Sequence, residues 1–438
     1  MTPIYVQAPA LPVTSVTVIL PRTGACLDPM ERQGLMRLML RLQFMGAGGK
    51  SNMVFNSALE RLGATLSHTL TSDYIALRLV TLTENLEAAL SLFQEAIHTP
   101  NFDAKEFDRL KAESISSWIA EREENKQLRV QETYLHRIYN ESPHGFLPDG
   151  TLEGLRRVTL DEVRAHYPTM FGWAEPIVAV LSDLPEPTVV GLLTEHLSLP
   201  QGQLQHPRHP WDRFAPVLRP GRHLTIIDDP GTQTDEVLMG AFSVDESDPD
   251  WHVHRLISLI FGGDMNSRLF RVLRGERGLS YGASCWYEST HGRSPRNRIS
   301  PFSLYTFPSA EHTAEALPLM VQLYEELVAE GVREDELTLS KQALINSYPF
   351  LLDAPHKLLS LRCDTALYGI EPDDEQTHRA KISSVDPVKI RNVLQRTHHP
   401  DTMTMVLLGD AKRLEAVAAG LPGITSQEVI SGGLPHLS

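Results

Sequence analysis

The sequence predicts an α+β protein made of two similar halves, each with a mixed, mostly antiparallel sheet packed against helices. One observation behind this is an internal repeat: a helix phrase at 158–164 returns at 385–390, and a strand phrase ending at Asp183 returns with its end at Asp410. Both are displaced by 227 residues (385 minus 158, 410 minus 183). A displacement shared by strand and helix phrases indicates a duplication. The other observation is the mixture of paired helices and short strands in each half, which favours an α+β arrangement.

The individual elements follow from periodicity and capping. Alternating, β-branched runs predict strands at 14–20, 74–82 and 303–307. Apolar residues at helical spacing predict helices at 30–45, 86–97, 104–124, 253–260, 314–329 and 335–348. We interpret the repeated phrase as the start of a helix with a Thr or an Asp as its N-cap. A further pair of helix phrases, at 107–111 and 337–341, is displaced by 230 residues (337 minus 107).

The domain organisation follows from length and from a change in composition. At roughly 150 residues per domain, 438 residues correspond to about three domains or to two large ones. The stretch of lowest complexity is rich in Pro, Gln, His and Arg and lies between the two copies of the repeat, at 200–222. We therefore predict a first half at 1–199, a linker at 200–222 and a second half at 223–438.

The composition excludes several classes of protein. A hydrophobic fraction of 42% with 22% charged residues is typical of globular chains and excludes wholesale disorder. The net charge of −15 argues against nucleic acid as the main partner. Three widely spaced cysteines exclude a disulfide scaffold and a zinc ribbon. No run reaches the ~18 apolar residues of a membrane span, and no signal-peptide pattern opens the chain, which favours a cytoplasmic protein.

The clearest local signal lies at 261–281. Gly262 and Gly263 interrupt the end of one predicted helix and permit close approach of the backbone. A basic helix follows and ends at Arg274, and a glycine turn then leads into a strand that contains Tyr281. Arg274 and Tyr281 can therefore point into the same crevice. Taken alone, the segment also fits a glycine helix cap followed by a solvated basic face.

This segment resembles the second-half motif of the insulinase/pitrilysin-type zinc peptidases, especially the two-domain group that contains the mitochondrial processing peptidase. In that family a Gly-Gly loop, Ser-Arg-Leu-Phe, Leu-Arg and Gly-Leu-x-Tyr occur in this order. The resemblance covers nearly the whole chain and implies two α+β halves hinged by the linker into a clamshell. It implies that Arg274 and Tyr281 bind the substrate backbone and help to stabilise the tetrahedral intermediate at a zinc held elsewhere, because both side chains donate hydrogen bonds to a developing oxyanion. The substrate-binding residues that we predict beside this pair are Gly262, Gly263, Ser267 and Arg268.

The family's zinc motif, His-x-x-Glu-His, is degenerate here. The matching positions on the first half's early helix are Arg37, Leu40 and Arg41. Two histidines at i and i+4 would bind zinc and the glutamate would activate water, but arginine offers no lone pair at neutral pH and leucine cannot act as a base. The third ligand of the family would fall near Ser117 or Trp118. We therefore expect no zinc in this chain, and the resemblance assigns the zinc to a partner.

Other candidate sites are weaker. The loop at 46–51 ends like a phosphate-binding loop but lacks the required first glycine and a preceding strand. The pairs His252/His254 and His398/His399 are wrongly spaced for one metal-binding face of a helix, so surface or core roles are favoured.

Two functions from different classes remain. The first is a non-catalytic subunit of a heteromeric zinc peptidase, which supplies Arg274 and Tyr281 to a partner's zinc site and encloses an unfolded peptide. Its partner would be a homologous zinc-bearing subunit, or a second copy of this chain. The alternative is a catalytically inert scaffold or peptide-binding protein, as the core subunits of the respiratory bc complex resemble peptidases. For Arg37 and Arg41 two roles stay open, attraction of acidic segments and structural salt bridges.

Overall fold

Two sheets, each packed against helices, form the protein in a computed structural model that describes residues 2–10, 12–139, 142–172, 175–200, 218–288, 300–369 and 371–432. This mixed architecture confirms the predicted fold class.

The first sheet has five strands in the order β1-β5-β2-β4-β3. Their bounds are β1 (Ile4–Gln7), β2 (Val13–Pro21), β3 (Thr65–Leu70), β4 (Tyr74–Leu82) and β5 (Ile177–Ser182). Strands β1 and β5 are parallel and the other pairs are antiparallel. The helices of this part of the chain are α1 (Leu35–Gln43), α2 (Asn52–Arg61), α3 (Leu86–His98), α4 (Ala104–Glu124), α5 (Lys126–Ile138), α6 (Leu152–Arg157), α7 (Leu160–His166) and α8 (Glu186–His196). Strand β3 lies at an edge of the sheet.

The second sheet has six strands in the order β11-β6-β10-β7-β9-β8. They are β6 (Arg222–Asp228), β7 (Glu236–Phe242), β8 (Ser280–Tyr287), β9 (Pro301–Pro308), β10 (Thr404–Gly409) and β11 (Ile424–Ser431). Its helices are α9 (Trp251–Ser258), α10 (Arg268–Phe270), α11 (Thr313–Glu330), α12 (Glu334–Ser347), α13 (Pro349–Asp353), α14 (Pro355–Tyr368), α15 (Glu375–Ser383), α16 (Pro387–Thr397) and α17 (Ala411–Ala418). Strand β8 lies at an edge.

The duplication is visible in the strand order. Without β11, the second sheet reads β6-β10-β7-β9-β8, which matches β1-β5-β2-β4-β3 strand for strand. The parallel pair also matches, since β6 pairs with β10 in parallel as β1 does with β5. The two edge strands β3 and β8 are therefore equivalent positions of the two halves.

Each half places one helix on the sheet of the other half. Helix α5 packs its Val130 and Tyr134 against Leu238 and Val406 of the second sheet. Helix α14 packs against the first sheet, where Cys363 is its one fully buried apolar residue among those described. The strands of the two sheets lie on either side of the predicted linker, whose residues 201–217 lie outside the described residues. Because two helices cross between the halves, the division into domains at that linker stays a prediction.

The predicted helix at 30–45 is shorter than expected. Gly34 has a φ of +105°, and a Cβ there would lie 2.6 Å from Leu155 Cδ2, so α1 begins only at Leu35. The buried carboxylate of Asp28 accepts hydrogen bonds from the backbone N–H groups of Gly34 (2.8 Å) and Met36 (2.9 Å). Burial raises the pKa of Asp28 to about 7 although these hydrogen bonds oppose the change.

The predicted helix caps are confirmed. Thr159 and Glu162 form a capping box at the start of α7, and the Asp386 side chain accepts a hydrogen bond from the backbone N–H of Lys389 in α16. Within the described ranges, no helix is both long enough and apolar enough to cross a membrane.

Candidate functional site

The glycine pair of the second half closes α9 against an edge strand. After Ser258 the helix widens over Leu259–Gly263. A Cβ on Gly262 would lie 2.4 Å from the backbone nitrogen of Cys285 and 2.8 Å from its Sγ, so only glycine permits this contact with β8. Gly263 is exposed. The glycines thus fix the position of the loop that precedes α10.

Ser267 and Arg268 are turned into the protein. The hydroxyl of Ser267 donates to the carbonyl oxygen of Asp264 at 2.6 Å. Arg268 is 9% exposed, and its guanidinium donates to both carboxylate oxygens of Glu336, at 2.6 and 3.1 Å, and to the carbonyl oxygen of Gly331 at 3.1 Å. These contacts give both side chains a structural role, and their contact with substrate stays a prediction.

A wide turn and a bulge bring the predicted pair together. After α10 the chain continues in wide helical turns over Arg271–Glu276 and reverses at Gly278, whose φ is +65°. Strand β8 then pairs with β9 with a register shift between Ser280 and Ala283. A bulge re-aims the residues within it, and Tyr281 lies in this one.

Arg274 and Tyr281 stack on each other at the surface. The guanidinium carbon of Arg274 lies 4.3 Å from the ring centroid of Tyr281 and 5.1 Å from that of Phe270. Arg274 also donates one hydrogen bond to the carbonyl oxygen of Tyr281 at 2.7 Å. The Tyr281 side chain projects outward, since the residue is 72% exposed, and its hydroxyl makes no hydrogen bond to any described residue. Phe270, which holds one face of the guanidinium, was not found from the sequence.

The zinc-motif positions of the first half have a different environment. Leu40 is 0% exposed and belongs to the apolar core. Arg41 donates to Ser114 Oγ and to Glu113 Oε1 of α4, both at 2.6 Å. Arg37 is half-buried and makes no hydrogen bond or ion pair to the described part of the chain. The salt-bridged structural role left open by the sequence therefore fits Arg41 and not Arg37.

A polar cavity of about 340 Å³ lies beside these arginines. Its lining residues are Arg37, Arg41, His68, Glu113, Ser114, Ser117, Trp118, Glu121, Asp149 and Leu155. Ser117 and Trp118, near which the sequence placed a third zinc ligand, are thus close to the motif positions. Burial, and after it the positive charges of Arg37 and Arg41, lower the pKa of His68 to about 4. His68 is therefore neutral at pH 7.

These residues do not fit a zinc ion. Arginine at the two histidine positions cannot ligate, and the buried Leu40 supplies no base. In the described ranges no group of three or more His, Cys, Asp or Glu side chains is arranged to hold a metal ion.

A second, larger cavity of about 690 Å³ has a mainly apolar lining. It extends from Trp118 and Phe146 to Ile227 and Ile430 of the second sheet. None of the residues that the sequence singled out as the Arg/Tyr site lines it.

The histidines of the second half form a buried chain with tyrosines, which the sequence did not indicate. His254 Nδ1 lies 2.8 Å from the Tyr287 hydroxyl, and that hydroxyl lies 2.9 Å from His398 Nε2. The Tyr324 hydroxyl lies 3.0 Å from His398 Nδ1. His254 and His398 are 0% and 2% exposed, so both belong to the core, and burial lowers the pKa of His254 to about 4.

Two family models match the chain and together span most of it. The model described as insulinase (peptidase family M16) matches residues 6–146, and the model described as peptidase M16 inactive domain matches residues 157–344. The chain belongs to the insulinase (M16) peptidase family. The match to the inactive-domain model and the similarity to a non-peptidase homolog support a non-catalytic M16 member. The assignment of Arg37, Leu40 and Arg41 to the zinc-motif positions stays a prediction. The predicted family is confirmed.

Relatives and solved structures agree with this assignment. The chain is 20% identical over 395 residues to the non-peptidase homolog YmxG of Helicobacter pylori, which covers 90% of this chain and 88% of that protein. It is 24% identical over 350 residues to an uncharacterized zinc protease of Rickettsia felis, which covers 76% and 77%. The fold is similar to that of a peptidase M16 inactive domain from Pseudomonas fluorescens (TM-score 0.81, 20% identity, 93% and 95% covered). It is also similar to a protease from Helicobacter pylori (TM-score 0.78, 17% identity, 92% and 96% covered).

Proposed function

We propose that this M16 chain is the non-catalytic subunit of a heteromeric zinc peptidase, in which Arg274 and Tyr281 act on a peptide held at the zinc site of a homologous partner subunit. The observation that carries the proposal is the exposed, stacked Arg274–Tyr281 pair in a chain whose own zinc positions hold arginine and leucine.

The pair is suited to stabilise negative charge on an oxygen atom. A guanidinium has five N–H donors. Within the described residues, Arg274 uses one of them, in the hydrogen bond to the Tyr281 carbonyl oxygen. The Tyr281 hydroxyl has no partner among the described residues, so it can donate as well. Stacking between Phe270 and Tyr281 holds the cation in place before substrate arrives. Positioned donors of this kind stabilise a developing oxyanion without reorganisation.

The position of Tyr281 on an edge strand favours a peptide as the substrate. Strand β8 pairs only with β9 in the described sheet, so no described strand lies along its other edge. An extended peptide can add to such an edge through main-chain hydrogen bonds. The substrate class that fits this edge is therefore an unfolded peptide segment.

The partner has to differ from this chain. The zinc would activate the attacking water, and a second copy of this chain would bring the same Arg37 and Arg41 to the motif positions. A homologous subunit with an intact His-x-x-Glu-His motif meets the requirement. Several relatives carry the name zinc protease, which supports a search for the partner among such chains.

The test is the peptidase rate of the assembled pair with variants of this subunit. Tyr281→Phe removes one donor to the oxyanion, and we expect kcat to fall by about 100-fold. Arg274→Ala should have a similar effect. Arg277→Ala is the matched control, because Arg277 is an exposed arginine of the same segment that lies 3.5 Å from Glu315. Unchanged rates for the Tyr281 and Arg274 variants, in pairs that still assemble, would overturn the proposal.

The alternative is an inert scaffold or peptide-binding protein. The bonds from Arg41 to Glu113 and Ser114 favour it, because they convert a former ligand position into a structural contact. Under this alternative the pair would assemble normally, and its rate would not depend on Tyr281.

A further inference from the structure

A half-buried arginine without a counter-charge marks the cavity of the first half. Arg37 lies on α1, lines the 340 Å³ polar cavity and has no ion pair or hydrogen bond in the described ranges. Burial of a cation without a partner is costly, so buried charges are normally paired or hydrogen-bonded. Arg37 therefore lines the cavity with N–H donors that no described residue uses.

The carboxylates of the cavity are already engaged elsewhere. Glu113 accepts from Arg41 at 2.6 Å and from Arg109 at 3.1 Å. Asp149 accepts from Arg122 at 2.7 Å.

Glu121 also lies near Arg122, at 3.7 Å. Glu121 and Asp149 thus share Arg122, and no carboxylate that lines the cavity pairs with Arg37.

We propose that this cavity binds a carboxylate group of an extended peptide, with Arg37 as the principal ligand. A guanidinium recognises a carboxylate through two parallel N–H donors. The exposed hydroxyl of Ser117 and the neutral ring of His68 supply further donors on the cavity wall. The half-burial of Arg37 strengthens the bond, because water screens it less than at an open surface.

The position of His68 indicates how a peptide reaches the cavity. His68 lies on β3, the edge strand of the first sheet, so a chain added along β3 passes the cavity wall. The carboxylate comes either from an acidic side chain or from a C-terminus. The inference rests on the proposed function and deepens it by naming peptides that present a carboxylate as the substrate class, but its test uses this chain alone and needs no zinc partner.

The test is binding of fluorescently labelled peptides to the isolated chain at low salt, followed by anisotropy. Three otherwise identical peptides are compared: one with a central Glu and an amidated end, one with Gln and an amidated end, and one with Gln and a free C-terminus. We expect one of the two carboxylate-bearing peptides to bind about tenfold more tightly than the neutral peptide, as for a charge-assisted hydrogen bond. The peptide that is preferred identifies the source of the carboxylate.

The variants locate the effect. Arg37→Gln should abolish the preference and leave the thermal stability unchanged, because the side chain has no bond to lose among the described residues. Arg61→Gln, at an exposed arginine of α2 outside the cavity lining, should keep the full preference. In the NMR spectrum, the His68 ring signal is assigned as the one that is missing from His68→Gln. We expect this signal to shift when the preferred peptide is added and not when the other peptides are added.

Three results would overturn the inference: equal or undetectable binding of all three peptides, a preference for the carboxylate-bearing peptide that persists in Arg37→Gln, or a His68 ring signal whose chemical shift does not change on addition of the preferred peptide. Each of these leaves the proposed role of Arg274 and Tyr281 untouched.

Discussion

The two halves have the same strand order, but their predicted site residues differ in exposure and in bonding. At the first half's motif positions, Leu40 is buried in the core and Arg41 is bound to α4. In the second half, Arg274 in the helical turns before β8 stacks on Tyr281 of that strand, and the Tyr281 side chain projects into solvent.

This difference in environment indicates which chemistry each set of residues can support. The predicted zinc positions hold residues that cannot bind a metal, and one of them, Arg41, forms bonds within the first half. Arg274 and Tyr281 of the second half donate hydrogen bonds and, in the function that we propose, need no metal in this chain. We therefore expect Arg41 and Arg122 of the first half to be structural and the exposed Arg274 of the second half to be functional.

The largest stability effect is expected at Arg122. Its side chain is 0% exposed, stacks 4.0 Å from the Trp118 ring and binds Glu132 and Asp149, both at 2.7 Å. Arg122→Met leaves two mostly buried carboxylates without a cation and should lower the free energy of unfolding by about 3 kcal/mol. Urea unfolding measures it, with Arg274→Ala as the exposed control, for which we expect less than about 0.5 kcal/mol. Equal losses for the two variants would contradict the comparison.

Arg268 is an arginine of the second half that is buried and ion-paired, so its role can be either structural or substrate-binding. Because Arg268 and Glu336 form a buried pair, Arg268→Met should destabilise the protein by about 2 kcal/mol. A purely structural role also predicts that KM of the assembled peptidase stays within about twofold of the parent at a temperature where the variant is folded. A raised KM in a fully folded variant would instead support the predicted contact of Arg268 with substrate.

Arg41 and Arg37 differ within the first half itself. Arg41→Ala breaks bonds to Glu113 and Ser114, and we expect a loss of about 1 kcal/mol because the pair is partly exposed. Arg37→Ala breaks no bond to the described residues and should change the stability by less than about 0.5 kcal/mol. Thermal melts of the two variants measure this difference, and a lower melting temperature for Arg37→Ala than for Arg41→Ala would contradict the structural role of Arg41.

The smallest effect concerns acid sensitivity. The pKa of His68 is lowered from 6.5 to about 4, so the unfolded chain takes up a proton there that the folded chain does not between those pH values. The stability contributed by neutral His68 is therefore full above pH 6.5 and is lost as the pH falls toward 4.

His68→Asn should reduce the number of protons taken up on unfolding in that range by at most one. His254, whose pKa is also lowered to about 4, would continue to contribute in the second half. An unchanged pH dependence of the free energy of unfolding in His68→Asn would show that His68 is not held neutral.

The sequence predicted those features that local pattern determines. The strand at 74–82 and the helix at 104–124 agree with the structure to the residue, because alternation and capping are local signals. The helix at 30–45 failed at its start, where the tertiary contact of Gly34 with Leu155 decides the conformation. The exchange of α5 and α14 between the sheets could not be predicted, because periodicity shows that a helix has an apolar face but not which sheet that face meets.

The site was predictable to the same degree. The sequence indicated that Arg274 and Tyr281 lie together, but it placed them in a crevice, whereas they stack at the surface. It did not indicate that Phe270 completes the stack or that Ser267 and Arg268 turn inward. His68 gave no signal, because it joins the cavity of Arg37 only through the pairing of β3 with β4.

The most direct test of the divided active site is the zinc content, measured by elemental analysis of this chain alone and of the chain assembled with a homologous His-x-x-Glu-His subunit. We expect no zinc in the lone chain and about one zinc per pair, since the partner supplies one ligand set. Stoichiometric zinc in the lone chain would contradict it, because Arg37 and Arg41 would then not occupy the ligand positions.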